Sequence, residues 1–127
     1  MTDRPAPMVL IFLFLTVAFT VAGQLLVKQG MLEVGASPAR VGALPAFVLN
    51  AFLNLRVLLG LGCALAAAAC WTVAISQSEL SFAYPFTGLS LVLVLALSPV
   101  FFGEAVSLKR WLGVLIVCFG IWIASQK

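Results

Sequence analysis

The chain has 127 residues, 64% of them hydrophobic and 9% charged, with a mean hydropathy of +1.21. A soluble domain carries roughly 25% charged residues, so this composition argues against a soluble enzyme or a nucleic-acid binder and is that of an integral membrane protein. The net charge of +3 comes from seven scattered Lys and Arg against four Asp and Glu, with no basic run that reads as a nucleic-acid patch and no histidine to serve as general base or metal ligand.

About 30 Å of hydrocarbon takes roughly 20 helical residues. Apolar runs of that length must be helices, because isolated strands would leave backbone groups unpaired in lipid. Four such runs predict an all-α membrane protein, a single four-helix domain over 1–127 with spans at about 8–29, 56–76, 80–102 and 108–125. The apolar part of the first run exceeds that of a cleaved signal peptide and three more spans follow it, so it reads as retained. Thr16, Thr20, Gln24 and Lys28 recur along it every four residues, which draws a drifting polar stripe down one side of the helix. Polar groups in hydrocarbon tend to face a bundle interior or a wet cavity. For Lys28, at the last turn, the alternative is an ammonium that merely extends to the headgroups.

The segment 44–53 is apolar but too much to add to the second span. It reads as a short interfacial helix with Pro45 in its first turn and Asn50 and Asn54 on one face, or else as a steeply tilted extension of that span. The second span is rich in small residues, Gly60, Gly62, Ala64 and the four alanines of 66–69, as expected where membrane helices approach closely. Cys63, Cys70 and Cys118 all fall inside spans. They read as small packing residues, since two cysteines without histidine or carboxylate make a poor metal site.

The third span carries Pro85 and Pro99 with Gly88 between them. Each proline frees the carbonyl four residues earlier, those of Ser81 and Leu95, so bends are expected near both ends, either as a static kink or as a hinge. Tyr84, Thr87 and Ser98 share a face and offer a second polar lining, with interface anchoring as the other role for Tyr84. In the loop that follows, Glu104 is expected to pair with Lys109 or Arg110, and Ser107 to cap the last helix. The fourth span places Gly113, Val117, Gly120 and Ala124 on one stripe, for packing within the protomer or against a second copy. Trp71 and Trp111 fit aromatic belts, while Trp122 lies deeper. With four spans, the first and third loops carry Lys28, Arg40, Arg56, Lys109 and Arg110 against Arg4 and Lys127 on the other side. Five against two favours those loops facing the cytoplasm, by a margin small enough to leave dual insertion open.

The stretches VAGQLLVKQG at 21–30, ELSFAYPF at 79–86 and FFGEAVSLKRWLG at 101–113 together resemble the four-span members of the drug/metabolite transporter superfamily, which includes EamA-like proteins and the small multidrug resistance exporters. Within it, the pattern Gly23, Gln24, Lys28, Gln29 and the sequence Ala83, Tyr84, Pro85 are similar to the paired flippase subunits for aminoarabinose linked to undecaprenyl phosphate. The resemblance covers nearly the whole chain. The chain differs in being slightly longer between the first two spans. The resemblance implies a multi-pass protein of the bacterial inner membrane, a homodimer or a heterodimer with a related four-helix subunit, and substrate held between protomers without cofactor, metal or nucleic acid. In small multidrug exporters the first helix carries a glutamate that exchanges protons for a cation, whereas here the first span has no carboxylate and ends at Lys28. A fixed cation attracts an anion, so the expected substrate is an amphipathic anion such as a phosphopolyprenyl sugar whose tail stays among the membrane lipids. Lys28 would contact the phosphate. Thr20, Gln24, Tyr84 and Thr87 would hydrogen-bond phosphate or sugar, and Pro85, Gly88 and Pro99 would let the third helix alternate access. Two other readings are export of a small amphipathic metabolite or drug, and a non-transporting scaffold for an enzyme of lipid-linked glycans.

Overall fold

A computed structural model of the chain describes residues 7–126. Arg4 and Lys127 of the charge count lie outside them. The described residues form helices and connecting turns with no strand: α1 (Pro7–Val34), a 3₁₀ turn (Val41–Ala43), α2 (Leu44–Leu53), α3 (Leu55–Ser76), α4 (Leu80–Ala83), α5 (Pro85–Phe102) and α6 (Leu108–Ala124). Three helical stretches are long and apolar enough to cross a bilayer, namely Pro7–Val34, Leu55–Ser76 and Leu80–Phe102. The fourth expected span is α6, whose 17 residues reach about 26 Å at 1.5 Å per residue.

Several expected boundaries move, each for a local reason. α1 continues past residue 29 to Val34, because no breaker intervenes before Gly35, whose φ of 100° ends the helix. Segment 44–53 is a helix of its own and not an extension of the next one. Asn54 is extended (φ −72°, ψ 129°), and its side chain accepts hydrogen bonds from the Arg56 and Val57 amides at 3.0 and 3.3 Å, capping α3. Asn54 therefore leaves the face it was expected to share with Asn50. The third run is split. Pro85 has no N–H to donate to Ser81, so α4 stops at Ala83 and α5 starts with proline in its first turn. Pro99, by contrast, sits inside a continuous α5. The cap predicted at Ser107 is present, its hydroxyl accepting from the Arg110 amide at 3.3 Å.

The helices run alternately up and down. At one end Val9 and Leu13 of α1 bury against Ala74 of α3 and Ala83 of α4, with Phe12, Trp71, Ile75, Phe82 and Phe86 around them. At the other end Gly30 of α1 meets Val57 and Asn54, and α5 returns so that Ser98 and Glu104 lie near Gln24 and Lys28. Between these ends α1 and α3 touch backbone to backbone. A Cβ on Gly60 would stand 2.7 Å from the Gly23 carbonyl oxygen and 2.9 Å from the Val27 nitrogen, and one on Gly30 would stand 2.9 Å from the Val57 nitrogen. Three glycines thus set the spacing of the two helices, the close approach that lipid-embedded helices use in place of a hydrophobic drive. Cys63 packs at this seam beside Gly23.

α6 is attached differently. None of its residues is buried, and it leans on α5 where the Cys118 thiol lies 3.4 Å from the Gly88 carbonyl oxygen. Gly113, Val117, Gly120 and Ala124 are all exposed, and a Cβ on either glycine would meet nothing within 4 Å. Phe119 and Trp122 stack on each other at 5.9 Å, also exposed.

Candidate functional site

Four residues per step advance a side chain by only 40° around a helix beyond a full turn, so Thr16, Thr20, Gln24 and Lys28 all open onto one concavity. That concavity is a groove of about 800 Å³ between α1, α3 and the start of α5. Its polar wall is the stripe of α1, with Thr87 of α5 joining it. The opposite wall is built from Gly60, Leu61, Ala64, Ala67, Ala68 and Trp71 of α3. The alanines leave the space open, since between Leu61 and Trp71 they project only methyl groups there. The Thr16 and Thr87 hydroxyls donate back to the Phe12 and Tyr84 carbonyls at 2.7 and 2.6 Å, which keeps their lone pairs available toward the groove.

Of the five predicted binding residues, the groove brings together Thr20, Gln24, Lys28 and Thr87. Tyr84 is not in its wall. Its backbone stays helical (φ −59°, ψ −37°), and its ring lies edge-on against Trp71, with centroids 5.9 Å apart. Trp71 itself, expected in an interface belt, is half-buried and closes the groove at the core end. The only sequence signal for that role is its position seven, four and three residues after Ala64, Ala67 and Ala68, on the same helical face. Gly88, expected as a hinge between two prolines, is buried against Cys118.

The expected pairing of Glu104 with Lys109 or Arg110 is overturned. Gly103 adopts φ 65° at the end of α5, its amide donating to the Pro99 carbonyl at 3.0 Å, and this left-handed turn swings the chain back over α1. The Glu104 carboxylate then lies 3.9 Å from the Lys28 ammonium, each side chain about half exposed. Such a pair is worth roughly 0–1 kcal/mol, so it holds the ammonium only weakly. A smaller cavity of about 210 Å³ lies beside it, lined by Gln24, Leu25, Lys28, Val94, Ser98, Phe102 and Glu104. At the same end Glu33 takes a second cation and ties down the helix start. Arg56 Nη1 lies 3.1 Å from one of its oxygens, and Asn54 Nδ2 donates to the other at 2.9 Å. All five basic side chains among the described residues, Lys28, Arg40, Arg56, Lys109 and Arg110, gather at this end of the bundle.

The chain is 41% identical over 69 residues to the probable 4-amino-4-deoxy-L-arabinose-phosphoundecaprenol flippase subunit ArnE of Yersinia pestis (strain Pestoides F), over 54% of this chain and 56% of that protein. ArnE of Yersinia pseudotuberculosis serotype O:3 (strain YPIII) matches equally, so the chain spans about half the length of the ArnE relatives it matches. It is 27% identical over 128 residues to the probable flippase subunit ArnF of Aeromonas salmonicida (strain A449), over 99% of this chain and 84% of that one. No family model and no solved structure matches the chain. Its curated homologues are thus subunits named as lipid-linked aminosugar flippases, in keeping with the superfamily resemblance of the three sequence blocks.

Proposed function

We propose that the chain is one four-helix protomer of a dimeric flippase that moves the headgroup of a polyprenyl-phosphate-linked sugar, such as aminoarabinose, across the bacterial inner membrane. The observation that carries this reading is the position of Lys28. Its ammonium ends a polar stripe inside a groove of about 800 Å³, where a fixed cation meets an anionic headgroup. Lys28 contacts the phosphate, Thr20, Gln24 and Thr87 hydrogen-bond the phosphate or the sugar, and Tyr84 acts through Trp71. The basic end of the bundle faces the cytoplasm, α2 lies along the membrane interface there, and α6 is the fourth span.

One protomer walls the groove on α1, α3 and α5 only, which suits a partner protomer, identical or related, as the remaining wall. The exposed Gly113, Val117, Gly120 and Ala124 stripe supplies the small residues such a partner would pack on. A lipid substrate keeps its tail in the acyl region while only its headgroup crosses, and the break at Pro85 is the flexible joint for alternating access. Flipping in reconstituted vesicles tests the assignment. Lys28→Ala should slow it by about ten- to a hundredfold, the loss of one charge-assisted contact. An unchanged rate would remove Lys28 from the phosphate site and the reading with it.

A further inference from the structure

We infer that the smaller cavity beside Lys28 selects the amine of an aminosugar headgroup, with Glu104 as partner of the amine and Lys28 as partner of the phosphate of one zwitterionic ligand. This rests on the flippase reading and carries it from the class of lipid to the headgroup feature that decides which lipid is taken.

The cavity lies between α1, the last turns of α5 and the turn after Gly103, and holds about 210 Å³. At about 30 Å³ per water this is roughly seven water volumes, room for one sugar ring and not for a polyprenyl chain. Gln24 and Lys28 line both this cavity and the larger groove. A phosphate on Lys28 therefore leaves its sugar within reach of the smaller space, where Gln24 and Ser98 supply neutral polar groups and Glu104 the acid.

The charges themselves discriminate. Lys28 and Glu104 are 3.9 Å apart, wider than the 2.7–2.9 Å or so of a direct ammonium–carboxylate hydrogen bond, so a ligand can part them. A ligand with only a negative charge would satisfy Lys28 and leave the Glu104 carboxylate beside a phosphate, like charge against like. A ligand that also brings an ammonium gives each member of the opened pair a new counter-ion. The left-handed turn at Gly103 holds Glu104 in this position.

The test is equilibrium binding of two probes to the purified chain in lipid nanodiscs: undecaprenyl phosphate carrying 4-amino-4-deoxyarabinose, and the same lipid with its amine acetylated. The wild-type chain should prefer the free amine by about tenfold or more, the worth of one charge-assisted contact. Glu104→Gln should bring the two within about twofold by weakening the first and strengthening the second. Glu104→Asp should keep the preference, which shows that the acid and not the glutamate shape is read. Lys28→Ala should weaken both probes. An undiminished preference in Glu104→Gln, or equal strengthening of both probes, would overturn the amine assignment while the flippase reading stands, since Glu104 would then be only a counter-ion. Loss of both probes in Glu104→Gln and Glu104→Asp alike would overturn it too. A wild-type chain that takes up neither probe, alone or with a related four-helix subunit, would sink both readings.

Discussion

The seam between α1 and α3 and the contact between α5 and α6 join helices of similar composition in opposite ways. In the first, Gly23, Gly30 and Gly60 bring backbone against backbone, and the Glu33–Arg56–Asn54 cluster ties off the end. In the second, one thiol meets one carbonyl at 3.4 Å and α6 buries nothing. Apolar content does not distinguish the two pairs. What separates them is whether the side chains at the crossing are small enough to let the main chains touch, because lipid supplies no competing pressure to squeeze larger ones together. The seam is a fixed unit that carries the polar wall of the groove, and α6 is an arm with a free face.

Substitutions can break or sharpen this contrast. The largest effect is expected at Gly60. Leucine there has no space against the Gly23 carbonyl, and the helices must part, at a cost of about 3 kcal/mol of stability measured by detergent unfolding. Asn54→Ala removes the cap of α3 and the hydrogen bond to Glu33 together. It should cost about 1–2 kcal/mol, with hydrogen exchange rising first in the amides of Arg56 and Val57. Gly103→Ala puts a side chain on a left-handed residue, so about 1 kcal/mol of stability is lost. In that variant a cross-link between cysteines placed at 28 and 104 should form more slowly. Gly120→Leu on the free face should be the mildest, within about 0.5 kcal/mol for the protomer, while the dimer fraction by analytical ultracentrifugation falls. A Gly120→Leu protomer as unstable as Gly60→Leu would erase the distinction between the two interfaces.

Much of this architecture is legible in the sequence because it is written in local patterns. Uninterrupted apolar runs give the helices, Ser107 announces its cap, and the four-residue spacing of Thr16, Thr20, Gln24 and Lys28 puts them on one side, where the groove is found. What escapes is whatever depends on pairing distant segments. Nothing near Gly23 says that its partner is Gly60 rather than Gly62, two positions on and in open space. Glu104 has two cations close by in sequence, yet the turn at Gly103 carries it to a third far away. Tyr84 shares the helical face of Thr87 and keeps helical backbone angles, yet its ring rests on Trp71 of α3 and not in the groove wall. In each case the local rule is sound, and the outcome is decided by a partner on another helix.

The length of α1 has a consequence for where recognition happens. At 1.5 Å per residue, the 21 residues from Pro7 through Val27 cover about 31 Å, the whole thickness of the oily layer. Lys28 is the next residue, so an α1 that crosses upright from Pro7 would bring its amine level with the plane of phosphorus atoms in one leaflet rather than the bilayer's middle. A lipid arriving by lateral diffusion already presents its charged group at that height. Under the proposed flippase function, capture then requires no vertical displacement, and the energetic work of crossing begins only after the ligand has been chosen.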